Sequence, residues 1–298
     1  MDDRVVGHRL DGVDEETIRT AIRRLLEKLR VEIEPEADLV VIPDAHYPYH
    51  PTTGLVTNPD LVRAVVAELD SWHSGSISIA GASEEFDWVE QMAEFLDYTQ
   101  IAADVGVELV DLRLSDTVTR RLPDRAPVAE VSLPRPMAEG TIINLPTLRV
   151  DGSGTPISVV ENLARPMART EELVDHSDTV SQVCPPGLTI LDGTFVYTGR
   201  PQRAEFVLSA VDPALIDLVV REVLGLTATK APIPHGGDGE VTLDLDGGTV
   251  ADLEVSAPDG DEAEPVLPER SMARAYRLYA RLCGDAVPPQ FLRSGGLG

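Results

Sequence analysis

Short apolar runs alternate with amphipathic helical stretches through most of this chain, and few folds accept that alternation. The run Asp38–Pro43 (DLVVIP) has the length and continuous apolarity of a strand buried on both faces. An irregular loop, DAHYPYHPTTGLVT, follows, and a helix then opens at Asn58 with Pro59 in its first turn. Further strand candidates are Ser76–Ala80, Val107–Leu112, Val128–Leu133, Thr141–Leu145, Leu188–Leu191 and Glu205–Ala210. Helical patterns lie between several of them: Phe86–Val105, part of Ile157–Arg169, and Asp212–Leu224, which ends at Gly225. The predicted fold is therefore α/β, a layered and mostly parallel sheet flanked by helices. In such folds binding sites lie at the carboxyl ends of strands.

Three regions are expected. Residues 1–37 form a helical lead-in, in which DEETIRTAIRRLLEKLR from Asp14 repeats Ile18, Ile22, Leu25, Leu26 and Leu29 on one face. Residues 38–226 form the α/β core. Residues 227–298 form a small appendage: VTLDLDGGTVADLEV reads as a β-hairpin, PDGDEAEPVLPE as an acidic loop, and Arg270–Leu282 as a last helix. Asn58–Leu69 and Asp212–Val223 share one grammar, a capping residue, Pro, then an apolar stripe, which two similar amphipathic helices explain as well as a duplicated half-domain does.

Charge narrows the partners. Against 25 Lys and Arg stand 51 Asp and Glu, a net charge of −26 at pH 7, and lysine occurs only at Lys28 and Lys230. Such a surface repels nucleic acid. Combined with an ordinary 43% hydrophobic content, it suits a salty cytoplasm in which screening relieves self-repulsion, so a halophilic, archaeal-type source is expected. No run of eighteen apolar residues is present and MDDRVVGHRLDG lacks the pattern of a signal peptide, which predicts a cytoplasmic protein without a membrane partner. Cys184 and Cys283 stand too far apart for metal-ligand spacing, so no iron–sulfur cluster is expected from this chain's own cysteines.

Six segments in order carry a resemblance: the strand and Pro-rich loop, T-x-P-x-L-V-R-A-V-V, G-V-E-L-V-D-L, I-I-N-L-P-T-L-R, L-D-G-x-x-x-x-x-G and D-P-x-x-x-D. Over Asp38–Leu226 the chain resembles the domain of unknown function 362 family. The resemblance implies an α/β protein without an assigned reaction. Some members are fused to ferredoxin-type modules, which implies a separate redox partner for a chain that has none. The family's usual K-P-N, I-N-L-P-K-L-K-T-H and K-N patterns are altered here in one direction. Pro43-Asp44 replaces Pro-Asn with no Lys before it; Thr147, Arg149 and Asp151 replace two Lys and a His; Glu161-Asn162 replaces Lys-Asn.

The candidate site residues lie on strand-end loops. His46 and His50, in a loop stiffened by Pro48 and Pro51, suit proton transfer near neutral pH or ligation of a divalent metal. Packing of the same loop over the sheet edge is the plainer alternative. Arg149 has the planar fork that anchors a carboxylate or phosphate, and Asn144 flanks the same strand end. Asn162 is added by the resemblance, and Asp192 ends a strand beside Gly193. Asp212 reads as a helix cap and Asp217 as a carboxylate facing inward. No dinucleotide, phosphate-loop, nucleophile-elbow or H-E-x-x-H motif is present.

The expected function is binding of a small polar or anionic molecule, with or without a divalent metal of unassigned identity. His46 and His50 would be proton-transfer groups, and Arg149, Asn144, Asn162 and Asp192 would hold the substrate. The alternative is a non-catalytic binding or regulatory protein on the same scaffold. Glu161 discriminates between them: a Glu161 projecting into the site without a basic partner disfavours an enzyme acting on anions.

Overall fold

The strand Leu39–Pro43 is buried at every position, and its side chains divide between two cores. Leu39 and Val41 pack on one face of the sheet, Val40 and Ile42 on the other. That is the period-two division of a strand covered on both sides. The computed structural model that shows this describes residues 4–256 apart from 30–32, 47, 84–85, 123–125, 127, 151–153, 168–176, 227–241 and 254.

In chain order the elements are β1 (Arg4–Arg9), α1 (Glu15–Leu29), β2 (Leu39–Pro43), α2 (Pro59–Asp70), β3 (Ile77–Gly81), α3 (Ala93–Phe95), α4 (Tyr98–Val105), β4 (Glu108–Asp111), β5 (Thr117–Arg121), β6 (Glu130–Pro134), α5 (Arg135–Glu139), β7 (Thr141–Leu145), β8 (Thr147–Arg149), α6 (Glu161–Ala164), α7 (Ser177–Val183), β9 (Leu188–Tyr197), β10 (Pro201–Ala210), α8 (Pro213–Val223) and β11 (Thr242–Asp246). The main sheet runs β11-β1-β10-β9-β7-β2-β3-β4, with β8 added to β9. Strands β9, β7, β2, β3 and β4 are parallel neighbours, and β10 runs against both β9 and β1. The α/β layered architecture is thus as expected.

One core lies under α1 and α2, where Ile18, Ile22 and Leu25 meet Leu61, Val65 and Leu69. The other lies under α8, where Ile216, Val219 and Val220 meet Leu191 and Leu208. Both capped helices start as read: Asn58 Oδ1 accepts from the Asp60 amide, and the Asp212 carboxylate from the Ala214 amide.

Three local differences have physical reasons. The Val128–Leu133 candidate becomes β6, but it pairs with β5 in a separate antiparallel ribbon. The Arg120 guanidinium ties this ribbon down by donating to the carbonyls of Val183 and Ala138. The expected helix Phe86–Val105 is broken into a π-turn at Trp88–Met92, α3 and α4, because Asp97 takes left-handed backbone at φ 61°. The indole of Trp88 packs so closely on Gly81 that a Cβ there would lie 2.2 Å from it. Of the segment read as a hairpin, Thr242–Asp246 pairs in parallel with β1, while Thr249 and Asp252 cap each other around a 3-10 turn at Val250–Asp252 in place of a return strand. The Arg270–Leu282 helix lies outside the described residues. Among the described residues no helix is long and apolar enough to cross a membrane.

Candidate functional site

The register of β2 against β7 places Pro43 beside Leu145, so the residues that leave both strands meet at one edge. Asp44 is the first residue beyond β2 and is fully buried. Its amide donates to the Leu145 carbonyl (3.1 Å) and to Thr57 Oγ1 (2.8 Å), and Thr57 closes the ring by donating its amide to the Asp44 carbonyl (2.9 Å). The backbone of the loop is thereby held by Leu145 and Thr57. Ser83 Oγ donates to the His46 carbonyl, and Trp88 Nε1 to the Ala45 carbonyl.

The Asp44 carboxylate is a hub. Oδ2 lies 2.7 Å from Arg149 Nη2 and accepts from Thr147 Oγ1 at 3.3 Å; Oδ1 lies 3.0 Å from His46 Nε2 at ion-pair distance. Arg149 Nη2 also reaches Glu161 Oε2 (3.2 Å), and the other oxygen of Glu161 meets Arg165 Nη2 (2.8 Å). The contacts form a chain of alternating charge, Asp44, Arg149, Glu161, Arg165, whose carboxylates are both buried. Burial opposes ionisation of Asp44, but the Arg149 guanidinium and His46 outweigh it and hold the carboxyl below the usual carboxylate range. Burial, joined by the charge of Arg165, pushes His46 below its ordinary value against the pull of Asp44, so its ring is neutral at pH 7.

A second, uncharged chain runs beside the first. Asn144 Nδ2 donates to the Val159 carbonyl (2.7 Å), and Asn162 Nδ2 donates to Asn144 Oδ1 (2.8 Å) and to the Ile42 carbonyl (3.4 Å). Because both neighbours of that nitrogen are acceptors, the orientation of the Asn162 amide is determined. Its Oδ1 is buried with no hydrogen-bond partner among the described residues, as is His46 Nδ1. Asp217 of α8 anchors the loop that leads into α6, accepting from Ser158 Oγ (2.7 Å) and the Val159 amide (3.0 Å).

Of the residues read from sequence, His46 and Arg149 converge on Asp44, and Asn144 and Asn162 bond each other one position from Glu161. His50 lies in the same loop but caps the turn Pro51–Thr53, with Nδ1 2.7 Å from Thr52 Oγ1. Asp192 accepts from the Asn58 amide (2.7 Å) and from the amide and hydroxyl of Thr194, which joins β9 to the start of α2. Burial raises its pKa, opposed by the Asn58 amide and by Thr194, with the charge of Asp44 adding to the rise. Glu161 is neither outside the site nor without cations, since two guanidiniums hold it. Sequence reading missed Asp44 as the hub, Thr57 as its brace and Arg165. The spacing of Arg165 four residues after Glu161 was a readable sign of the last.

Among the described residues no group of three or more His, Cys, Asp and Glu is placed to hold a metal ion. The buried Cys184 thiol is pushed up to about 12 by burial and donates to the Met137 carbonyl, the environment of a packed rather than a ligating cysteine. Cys283 lies outside the described residues.

Comparison with curated proteins gives no match. A crystal structure of a protein from Thermotoga maritima is similar, with 11% sequence identity and a TM-score of 0.38, over 61% of this chain and 51% of that one. This chain spans about half the length of that protein. The family model for Domain of unknown function (DUF362) matches residues 40–222, the span that contains β2 through most of α8 and every residue of the Asp44 cluster. The chain belongs to the Domain of unknown function (DUF362) family.

Proposed function

We propose that this chain binds a small polar molecule at the loops that follow β2 and β7. One observation carries the reading: Asn162 Oδ1 and His46 Nδ1 are buried without a hydrogen-bond partner among the described residues, next to a run of ion pairs at 2.7–3.2 Å. Buried polar atoms are nearly always matched, and a ligand held there would match these two. In this reading Asn144 and Asn162 orient the bound molecule, Arg149 holds the loops that surround it, and His46, backed by Asp44, moves a proton.

The occupation of Arg149 by two carboxylates favours a second reading, a non-catalytic binding or regulatory protein that holds a ligand without turning it over. Native mass spectrometry of the purified chain separates site from no site. The expected result is a bound mass that is lost in His46→Asn and Asn162→Leu, while His50→Ala keeps it. A chain that carries no small molecule, or variants that retain it, would refute the site.

A further inference from the structure

Two features of the strand-end cluster together define the chemistry of its ligand, given the ligand-binding reading above on which this inference rests. The first is the direction of the open hydrogen-bonding groups. Along the amide chain each nitrogen donates, to the carbonyls of Val159 and Ile42 and to Asn144 Oδ1, so the chain ends in the carbonyl oxygen of Asn162, an acceptor. Asp44 Oδ1 lies 3.0 Å from Nε2 of His46 at ion-pair distance without hydrogen-bond geometry, and the charge of that carboxylate favours the ring proton on Nε2. Nδ1 is then a lone-pair acceptor as well. The open oxygen of Asn162 and the Nδ1 of His46 therefore call for donors.

The second feature is the charge balance. Asp44, Arg149, Glu161 and Arg165 alternate in sign at 2.7, 3.2 and 2.8 Å, two anions against two cations. Glu161 divides its two oxygens between the two guanidiniums, which is the position an anionic ligand would take between them. An incoming anion would have to displace Glu161 and leave a buried carboxylate without its partners, the costly way to break a buried ion pair.

We propose that the ligand of this site is a hydroxyl- or amino-bearing molecule without negative charge, and that Glu161 is the residue that excludes anions. The sequence-based expectation of a polar or anionic ligand is thereby narrowed to its polar half. Glu161 acts here as a specificity-determining residue: it fills the anion position permanently and leaves Asn162 Oδ1 and His46 Nδ1 as the recognition groups.

Equilibrium dialysis against inorganic phosphate at fixed ionic strength tests this on the full chain. The wild type is expected to show no saturable phosphate uptake, whereas Glu161→Gln, similar in shape but without the charge, gains saturable binding, with at least tenfold more phosphate held at the same free concentration. Circular dichroism checks that the variant is folded, and Glu161→Asn takes its place if it is not. Phosphate bound equally by wild type and variant would overturn the assignment of selectivity while leaving a ligand site in place. Phosphate bound by neither would overturn the role of Glu161. An anionic molecule found on the purified wild type by native mass spectrometry would overturn the ligand class. Failure of the site reading shows differently, as a chain with no bound mass at all.

Discussion

His46 illustrates how position sets the chemistry of a single residue. In the sequence it is one of two histidines in a Pro-rich loop, equivalent in type and setting to His50. In the fold its ring is buried against Asp44 while His50 caps a turn. Burial lowers its pKa from the ordinary 6.5, so the folded protein favours the neutral ring and the unfolded chain binds the proton first. The contribution of His46 to stability is therefore present above about pH 6.5 and is lost as pH falls toward the lower folded value. Urea midpoints measured from pH 8 to pH 5 should fall, and His46→Asn should flatten part of that fall. His8, also lowered by burial, supplies a remaining slope. An unchanged slope in His46→Asn would show that the ring is not held neutral by the fold.

At the scale of elements, the start of α2 joins local grammar to the site. Asn58 caps the helix through Oδ1, passes its own amide to Asp192 and its Nδ2 to Thr194, and so ties α2 to β9 beside Asp44. Asn58→Ala removes the cap and the side-chain bond together and should destabilise the protein by about 1–2 kcal/mol. Asn58→Ser, which keeps a capping oxygen, should recover most of the loss; denaturant unfolding of the two variants distinguishes cap from bulk. The Asn-Pro and Asp-Pro helix starts were readable because a cap is a local event within three residues. The break at Asp97 and the strand β1 were not. The first is a left-handed residue inside a continuous apolar pattern, and the second is a short mixed run, RVVGHR, that becomes a strand only because β10 and β11 flank it.

Across the whole molecule, charge and topology act together. The segment β11 joins the sheet far from its sequence neighbours, and Lys28 and Arg24 of α1 reach Asp244 and Asp246 on it. These pairs are exposed enough that salt weakens them, while the net charge of −26 opposes compaction at low salt. Self-repulsion outweighs the pairs, because it acts between all the acidic groups and the pairs are few. Thermal unfolding in potassium chloride should therefore shift upward between 0.1 M and 2 M, on the order of several degrees. A falling midpoint would show that ion pairs at the sheet edge dominate.

The alternation of apolar runs and capped helices by itself determined the α/β layers, the run of β2, β3 and β7, and the loops that carry the Asp44 cluster, since strand burial and helix capping are written in neighbouring residues. Which residues meet at those loops was decided by tertiary structure alone. Asp44 and Arg149 are 105 positions apart, and only the parallel register of β2 beside β7 brings a carboxylate and a guanidinium to 2.7 Å. The same assembly turned Glu161, a single reversed charge in the sequence, into the bridge between two arginines. Local patterns encode backbone geometry and burial, but a charge acquires its role from partners that the folded sheet delivers.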